Sequence, residues 1–95
     1  MPLFVMIGRD GPEGIERRAE ARPRHLEHWQ PHASQGEVVF AGPLLAHEGS
    51  EMIGSVIIFD APDQKTAEGR VASDPYAAEG IFESTECLGT RKVLP

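Results

Sequence analysis

Histidine is the side chain best suited to move protons near neutral pH, and the chain has four: His25, His28, His32 and His47. The first three lie three and four residues apart, the spacing of neighbours on a helix. Such a triplet could ligate a metal. Against that, Pro31 falls inside it, no His-Glu-x-x-His pattern occurs, and Glu27, between His25 and His28, shares a helix face with neither. No metal and no other cofactor is expected. His28 and His32 read as solvated or core-edge side chains, and His47, in a polar segment, as an exposed one. His25 differs because it follows Arg22-Pro23 at the start of a helix, from where it can face a sheet or a cleft. A neutral imidazole there serves either as a satisfied structural side chain or as a proton carrier. The second role needs a partner that fixes the tautomer.

Asp74 has a strong structural explanation that can coexist with a functional one. In Ser73-Asp74-Pro75-Tyr76 it has the grammar of a helix N-cap, with proline starting the turn. One oxygen can cap while the other faces an imidazole. Asp60, before Ala61-Pro62, has the same capping explanation. Arg22 offers a bidentate fork for a carboxylate, or pairs with Glu20 or Glu27. Cys87 has no basic neighbour in sequence and is a weak candidate nucleophile. Gly42-Pro43 and Gly54-Ser55 flank a hairpin. Their glycines permit close backbone approach to a ligand or simply serve turns, and Ser55 adds a hydroxyl. No Gly-x-Gly-x-x-Gly or Gly-x-x-x-x-Gly-Lys run supports a nucleotide loop.

The elements that must position these groups follow from the apolar pattern. Leu3–Ile7 is a β-branched, nearly continuous apolar run and predicts a strand. Gly8, Asp10, Gly11, Pro12 and Gly14 stop it. A helical stretch follows, with Ile15 and Ala19 on one face. Arg22-Pro23 is expected to interrupt it, because the residue before proline avoids helical geometry. A new helix starts at Pro23 with Leu26, Trp29 and Ala33 on its apolar face, and is expected to kink or end near His32 because of Pro31. Val38–Ala41 predicts a second strand that Gly42-Pro43 ends or bends at an edge. Leu44 to Met52 reads as the hairpin connection, and Gly54–Phe59 as the strongest strand. A helix then starts after Asp60-Ala61-Pro62, with Asp63 favoured by the helix dipole and Ala67, Val71 and Ala72 inward. A short turn through Ala78 ends at Gly80. A last strand lies within Ile81–Val93, irregular around Gly89.

The order β-α-β-β-α-β predicts an α+β, ferredoxin-like fold: a four-stranded antiparallel sheet with helices on one face. The 95 residues, 40% hydrophobic and 25% charged, suit one domain over residues 1–95. Two helices cover one sheet face, so the other invites a second subunit. Aromatics are only 6% of the chain, which makes that extra burial useful. Acidic residues number 15 against 9 Lys and Arg, for a formal charge of -6, and the surplus lies in residues 33–95. No basic stripe is available for a phosphate backbone, so nucleic-acid binding is not expected. The apolar runs are too short to cross a bilayer and no signal-like leader is seen, so no membrane partner is expected. A single cysteine suits a reducing cytoplasm.

Taken together, Arg22-Pro23-Arg24-His25-Leu26, Ala41-Gly42-Pro43, Gly54-Ser55, Asp74-Pro75-Tyr76 with Gly80, and the terminal Arg91-Lys92-Val93 resemble the YCII-related (YciI-like) family over nearly the whole chain. The resemblance implies a ferredoxin-like fold of the dimeric α/β-barrel superfamily, a homodimer, and a His–Asp dyad made by His25 and Asp74. It places Gly42-Pro43 and Gly54-Ser55 at the pocket rim, with Tyr76 close by. One better understood relative removes HCl from a chlorinated hydroxyhydroquinone. The chain departs from the family pattern in a shorter link between Pro43 and Gly54, in Pro31, and in Leu88-Gly89-Thr90 where a proline-phenylalanine pair is usual.

The resulting expectation is a cytoplasmic, lyase- or isomerase-like enzyme for a small molecule. His25 acts as general base or acid, Asp74 orients it, and Arg22, Gly42, Pro43, Ser55 and Tyr76 contact the substrate. The alternatives are a small-metabolite binding module without turnover, and a structural or interaction protein.

Overall fold

The computed structural model describes residues 1–95. Strand β1 (Leu3–Asp10) leads to helix α1 (Gly14–Ser34), then to strands β2 (Val38–Leu45) and β3 (Met52–Asp60). Helices α2 (Gln64–Ser73) and α3 (Pro75–Ala78) precede strand β4 (Phe82–Thr90). The sheet order is β2-β3-β1-β4 and every pairing is antiparallel. This is the ferredoxin-like arrangement the element order predicts.

The pleat divides each strand between two faces. Phe4 and Met6 of β1, Ile57 and Phe59 of β3, and Phe82 of β4 are buried with Trp29 of α1 and with Ala67 and Val71 of α2. Trp29 packs edge-on to Phe59 with ring centroids 5.0 Å apart. The opposite face carries Val5, Ile7, Val56 and Ile58, which are only partly buried, and two half-exposed side chains, Phe40 and Leu88.

Two glycines set close approaches in the sheet. A Cβ on Gly8 would lie 2.5 Å from the Phe82 ring, and one on Gly54 would run into the Gly8 carbonyl oxygen. The close approach that Gly54 permits is therefore to β1, not to a ligand.

Several local expectations need correction. Helix α1 is continuous through Pro23 and Pro31. Each proline deprives the carbonyl four residues back of its partner. Those carbonyls belong to Ala19 and Glu27, both exposed residues that solvent can reach. The apolar face changes accordingly. Ile15, Ala19, Leu26 and Ala33 are exposed, whereas Gly14, Arg18, Ala21 and Trp29 are buried. Strand β2 runs on through Gly42-Pro43 to Leu45, which an edge strand tolerates. The N-cap of α2 is Asp63, whose side chain accepts from the Thr66 N–H at 2.7 Å. Asp60 remains in β3. Ala72 is exposed. Gly89 pairs regularly with Phe4, and the irregularity lies at the other end of β4, opposite Arg9 and Asp10.

Candidate active site

A continuous α1 places Gly14, Arg18, Ala21, His25 and Trp29 at spacings of four, three, four and four, which is one stripe of a helix. That stripe faces the sheet and the start of α3. Cross-links tie the two helical segments together. Arg17 donates to the carbonyls of Glu79 and Gly80. Arg24 pairs with Glu79 at 2.8 Å and with Glu20 at 2.7 Å, and holds the Glu79 carboxyl below its usual range. The turn carrying Asp74 is thereby fastened to the helix carrying His25.

Asp74 is fully buried. Its Oδ1 accepts from the Tyr76 backbone N–H at 2.9 Å, the capping bond of α3. Its Oδ2 accepts from the Trp29 indole N–H at 2.8 Å. His25 Nδ1 lies 2.9 Å from both oxygens. Capping and pairing with the imidazole therefore coexist in one carboxylate. A carboxylate only accepts, so Nδ1 carries a hydrogen, and in the neutral ring Nε2 is then the nitrogen with the lone pair. The His25 ring stacks on Tyr76, centroids 4.0 Å apart and planes 12° from parallel. Burial pushes the Tyr76 phenol up, opposed by the nearby Arg18 and Arg22 guanidinium groups. Tyr76 is thus a neutral stacking platform at neutral pH.

His25 lines a cavity of about 600 Å³ between α1 and the sheet. Helix α1 also contributes Arg18, Arg22 and Leu26 to its wall. Ala41, Gly42 and Pro43 come from β2, Met52, Ser55 and Ile57 from β3, and Tyr76 closes it. Six of the seven residues singled out in the sequence, His25, Arg22, Gly42, Pro43, Ser55 and Tyr76, share this one cavity, and the seventh, Asp74, bonds to His25. Gly42 contributes backbone there, because a Cβ on it would point toward the Phe40 ring. Arg22 pairs with neither Glu20 nor Glu27, since Glu20 is engaged by Arg24. It is exposed at the cavity wall.

Two participants were not foreseen. Trp29 reads as a core aromatic, yet it is also a donor to Asp74. Arg18 is buried, with one guanidinium nitrogen 3.0 Å from Asp10 and another 2.7 Å from Ser55 Oγ. Its Cζ lies 4.7 Å from the Tyr76 ring centroid. Arg18 becomes visible once α1 is drawn unbroken, because it then shares a stripe with His25, whereas Trp29 already stands four residues from His25 on the helix expected from Pro23.

The remaining histidines go separate ways. His28 Nε2 bonds to the Arg70 carbonyl at 2.8 Å, and His32 Nδ1 to Glu37 at 2.9 Å. No three His, Cys, Asp or Glu side chains gather in a geometry suited to a metal ion. Cys87 is half-buried away from the cavity, and burial, followed by the Glu68 charge, pushes its thiol up. A thiol so placed is a poor nucleophile.

The YCII-related domain family model matches residues 2–89. The chain belongs to that family. It is 28% identical over 97 residues to Protein YciI of Escherichia coli O6:H1, covering 97% of this chain and 99% of the relative. It is 36% identical over 74 residues to the derivative of benzaldehyde biosynthesis cluster protein C of Emericella nidulans, covering 72% of this chain and 76% of the relative. Among solved structures it resembles the 5-chloro-2-hydroxyhydroquinone dehydrochlorinase of Burkholderia phenoliruptrix, in complex with 2,5-dihydroxybenzoquinone. The TM-score is 0.80 at 26% identity, over 95% of this chain and 92% of that one. An antibiotic biosynthesis monooxygenase shares the fold at TM-score 0.58 and 13% identity. No helix is long and apolar enough to cross a membrane.

Proposed function

We propose that this YCII-related domain is a small-molecule enzyme of lyase or isomerase type that works by general acid–base catalysis at His25. The observation that carries this is the buried Asp74 carboxylate 2.9 Å from His25 Nδ1, with the imidazole on the wall of a ligand-sized cavity. Asp74 fixes the tautomer with Nε2 free. Nε2 takes a proton from the bound substrate, and Asp74 stabilises the imidazolium that forms. In a lyase the electron pair left on the substrate expels a leaving group; in an isomerase the proton returns to a different atom. Ser55, Arg22, Tyr76, Gly42 and Pro43 position the substrate. The likeness to a dehydrochlorinase supports a small aromatic or enolisable compound as the substrate class. A cytoplasmic setting, suited to the free thiol of Cys87, and a single domain over residues 1–95 complete the proposal.

The test is a screen of small phenols and enolisable ketones for elimination, or for protein-dependent C–H exchange in deuterated water. His25→Ala is expected to lower the rate of any hit by about 10²–10⁴-fold. An unchanged rate in a folded His25→Ala protein would end the acid–base role. Saturable binding without any turnover by the wild type would favour a metabolite-binding module.

The same proposal includes a homodimer formed through the open sheet face. Phe40 and Leu88 are 52% and 50% exposed there, beside the partly buried Val5, Val56 and Ile58. A contiguous apolar surface of this kind is an association site in small proteins. Sedimentation is expected to show a dimer for the wild type and a monomer for Leu88→Asp. A wild-type monomer at micromolar concentration would remove the dimer from the proposal.

A further inference from the structure

The chain has a formal charge of -6, yet the cavity wall is charged the other way. Arg18 and Arg22 line it, and no aspartate or glutamate does. Four acids line instead a separate cleft of about 290 Å³ at the β1–α1 loop: Asp10, Glu13, Glu16 and Glu51. Arg22 holds no hydrogen bond or ion pair with the rest of the chain, so its fork is available.

Ser55 sharpens the pattern. It is 3% exposed, at the middle of β3. Its Oγ accepts a 2.7 Å bond from Arg18. A hydroxyl has one hydrogen to give and lone pairs to receive with. With a guanidinium on the receiving side, the hydrogen must turn elsewhere, and no acceptor within the chain takes it. Arg18 is itself held in place by Asp10 at 3.0 Å. Asp10 offsets the charge of Arg18 without entering the larger cavity, while Arg18 keeps Ser55 as a donor.

From this we infer that the cavity selects anionic substrates, with the Ser55 hydroxyl and the Arg22 guanidinium binding a carboxylate, phenolate or enolate oxygen. Arg18 is the positioning residue that keeps Ser55 in its donor state. The inference rests on the cavity being the ligand site of the proposed enzyme, and it adds the charge of the ligand. An oxyanion seated there also suits removal of a proton by a neutral imidazole, because the unpaired Arg22 guanidinium and the Ser55 hydroxyl stabilise the negative charge that builds up on the substrate.

The experiment compares benzoate with benzamide, probes of similar shape and different charge, by NMR titration of backbone amides in the wild type, Ser55→Ala and Arg22→Gln. The wild type is expected to favour benzoate by about tenfold or more. Each variant is expected to lose most of that preference while benzamide affinity stays within about twofold. Raising the salt concentration should shrink the share due to exposed Arg22 more than the share due to buried Ser55. A variant that removes Asp10 and Arg18 together (Asp10→Ala/Arg18→Met) should lose the preference as Ser55→Ala does, which a role for Arg18 in packing alone would not produce. Equal affinities in the wild type, a preference that survives both single variants, or no saturable benzoate binding would each overturn the inference. His25→Ala separates the two proposals: it should keep the anion preference, and its turnover bears only on the acid–base role.

Discussion

Replacing Asp74 by alanine is expected to destabilise the fold by about 3–5 kcal/mol, whereas Asp74→Asn costs much less and still disables the site. The carboxylate is fully buried and three donors converge on it: the Tyr76 backbone N–H, the Trp29 indole N–H and His25 Nδ1. Alanine leaves them without an acceptor. A buried unsatisfied donor costs about 1–3 kcal/mol, and water entering the void offsets part of the total. For a domain of this size each kcal/mol moves the melting temperature by roughly 4–8 °C. A fall of about 12–40 °C is therefore expected by calorimetry. Asparagine keeps one oxygen for the cap or for Trp29, but its amide donates. His25 then meets a donor where it met an acceptor, and the favoured tautomer moves toward a hydrogen on Nε2. Imidazole ¹⁵N shifts read the tautomer directly. An Asp74→Ala protein as stable as the wild type would mean these bonds contribute little. An unmoved tautomer in Asp74→Asn would mean that Asp74 does not orient His25.

This contrast also shows what the amino-acid sequence discloses. Ser73-Asp74-Pro75 announces a cap because capping is a local matter of one side chain and the next two residues, and the bond to the Tyr76 N–H forms as expected. The bond to His25 spans 49 residues, so spacing alone offers no sign of it. The family resemblance supplied that pairing. The strands were legible for a related reason: continuous apolar runs and β-branching are local, and Leu3–Ile7 and Gly54–Phe59 fall within β1 and β3. Helix α1 was the place where a local rule misled. Proline disfavours a helix interior, but Pro23 and Pro31 lie on the solvent side, while Trp29, Ala21 and Arg18 anchor the other side. Packing on the sheet outweighs two lost backbone bonds. Breaking the helix at Arg22 hid the stripe that joins Arg18 to His25, and with it the cation behind Ser55.

The Asp10–Arg18 pair carries the second large effect. Both side chains are almost wholly buried, 5% and 6% exposed, and one oxygen of Asp10 and Nε of Arg18 have no hydrogen-bond partner. Burial pushes the Asp10 carboxyl up despite the adjacent guanidinium, which pulls it back down. A carboxyl raised in the folded state favours folding below its ordinary value near 3.8, and that contribution is lost as pH rises through the raised value. At neutral pH, then, ionised Asp10 does not stabilise the fold through its own titration; its role is to keep Arg18 from being a lone buried charge. Asp10→Ala is expected to cost about 3–5 kcal/mol, because it leaves that charge uncompensated. Asp10→Ala/Arg18→Met should recover most of the loss, since replacing both members of a buried pair with apolar groups is often neutral. Chemical denaturation of the wild type, both single variants and the double variant measures the coupling directly. Additive losses would mean that the two charges do not depend on each other. A restored double variant would show that neither charge is needed for the fold itself, leaving the bond from Arg18 to Ser55, on the cavity side, as the service the pair performs.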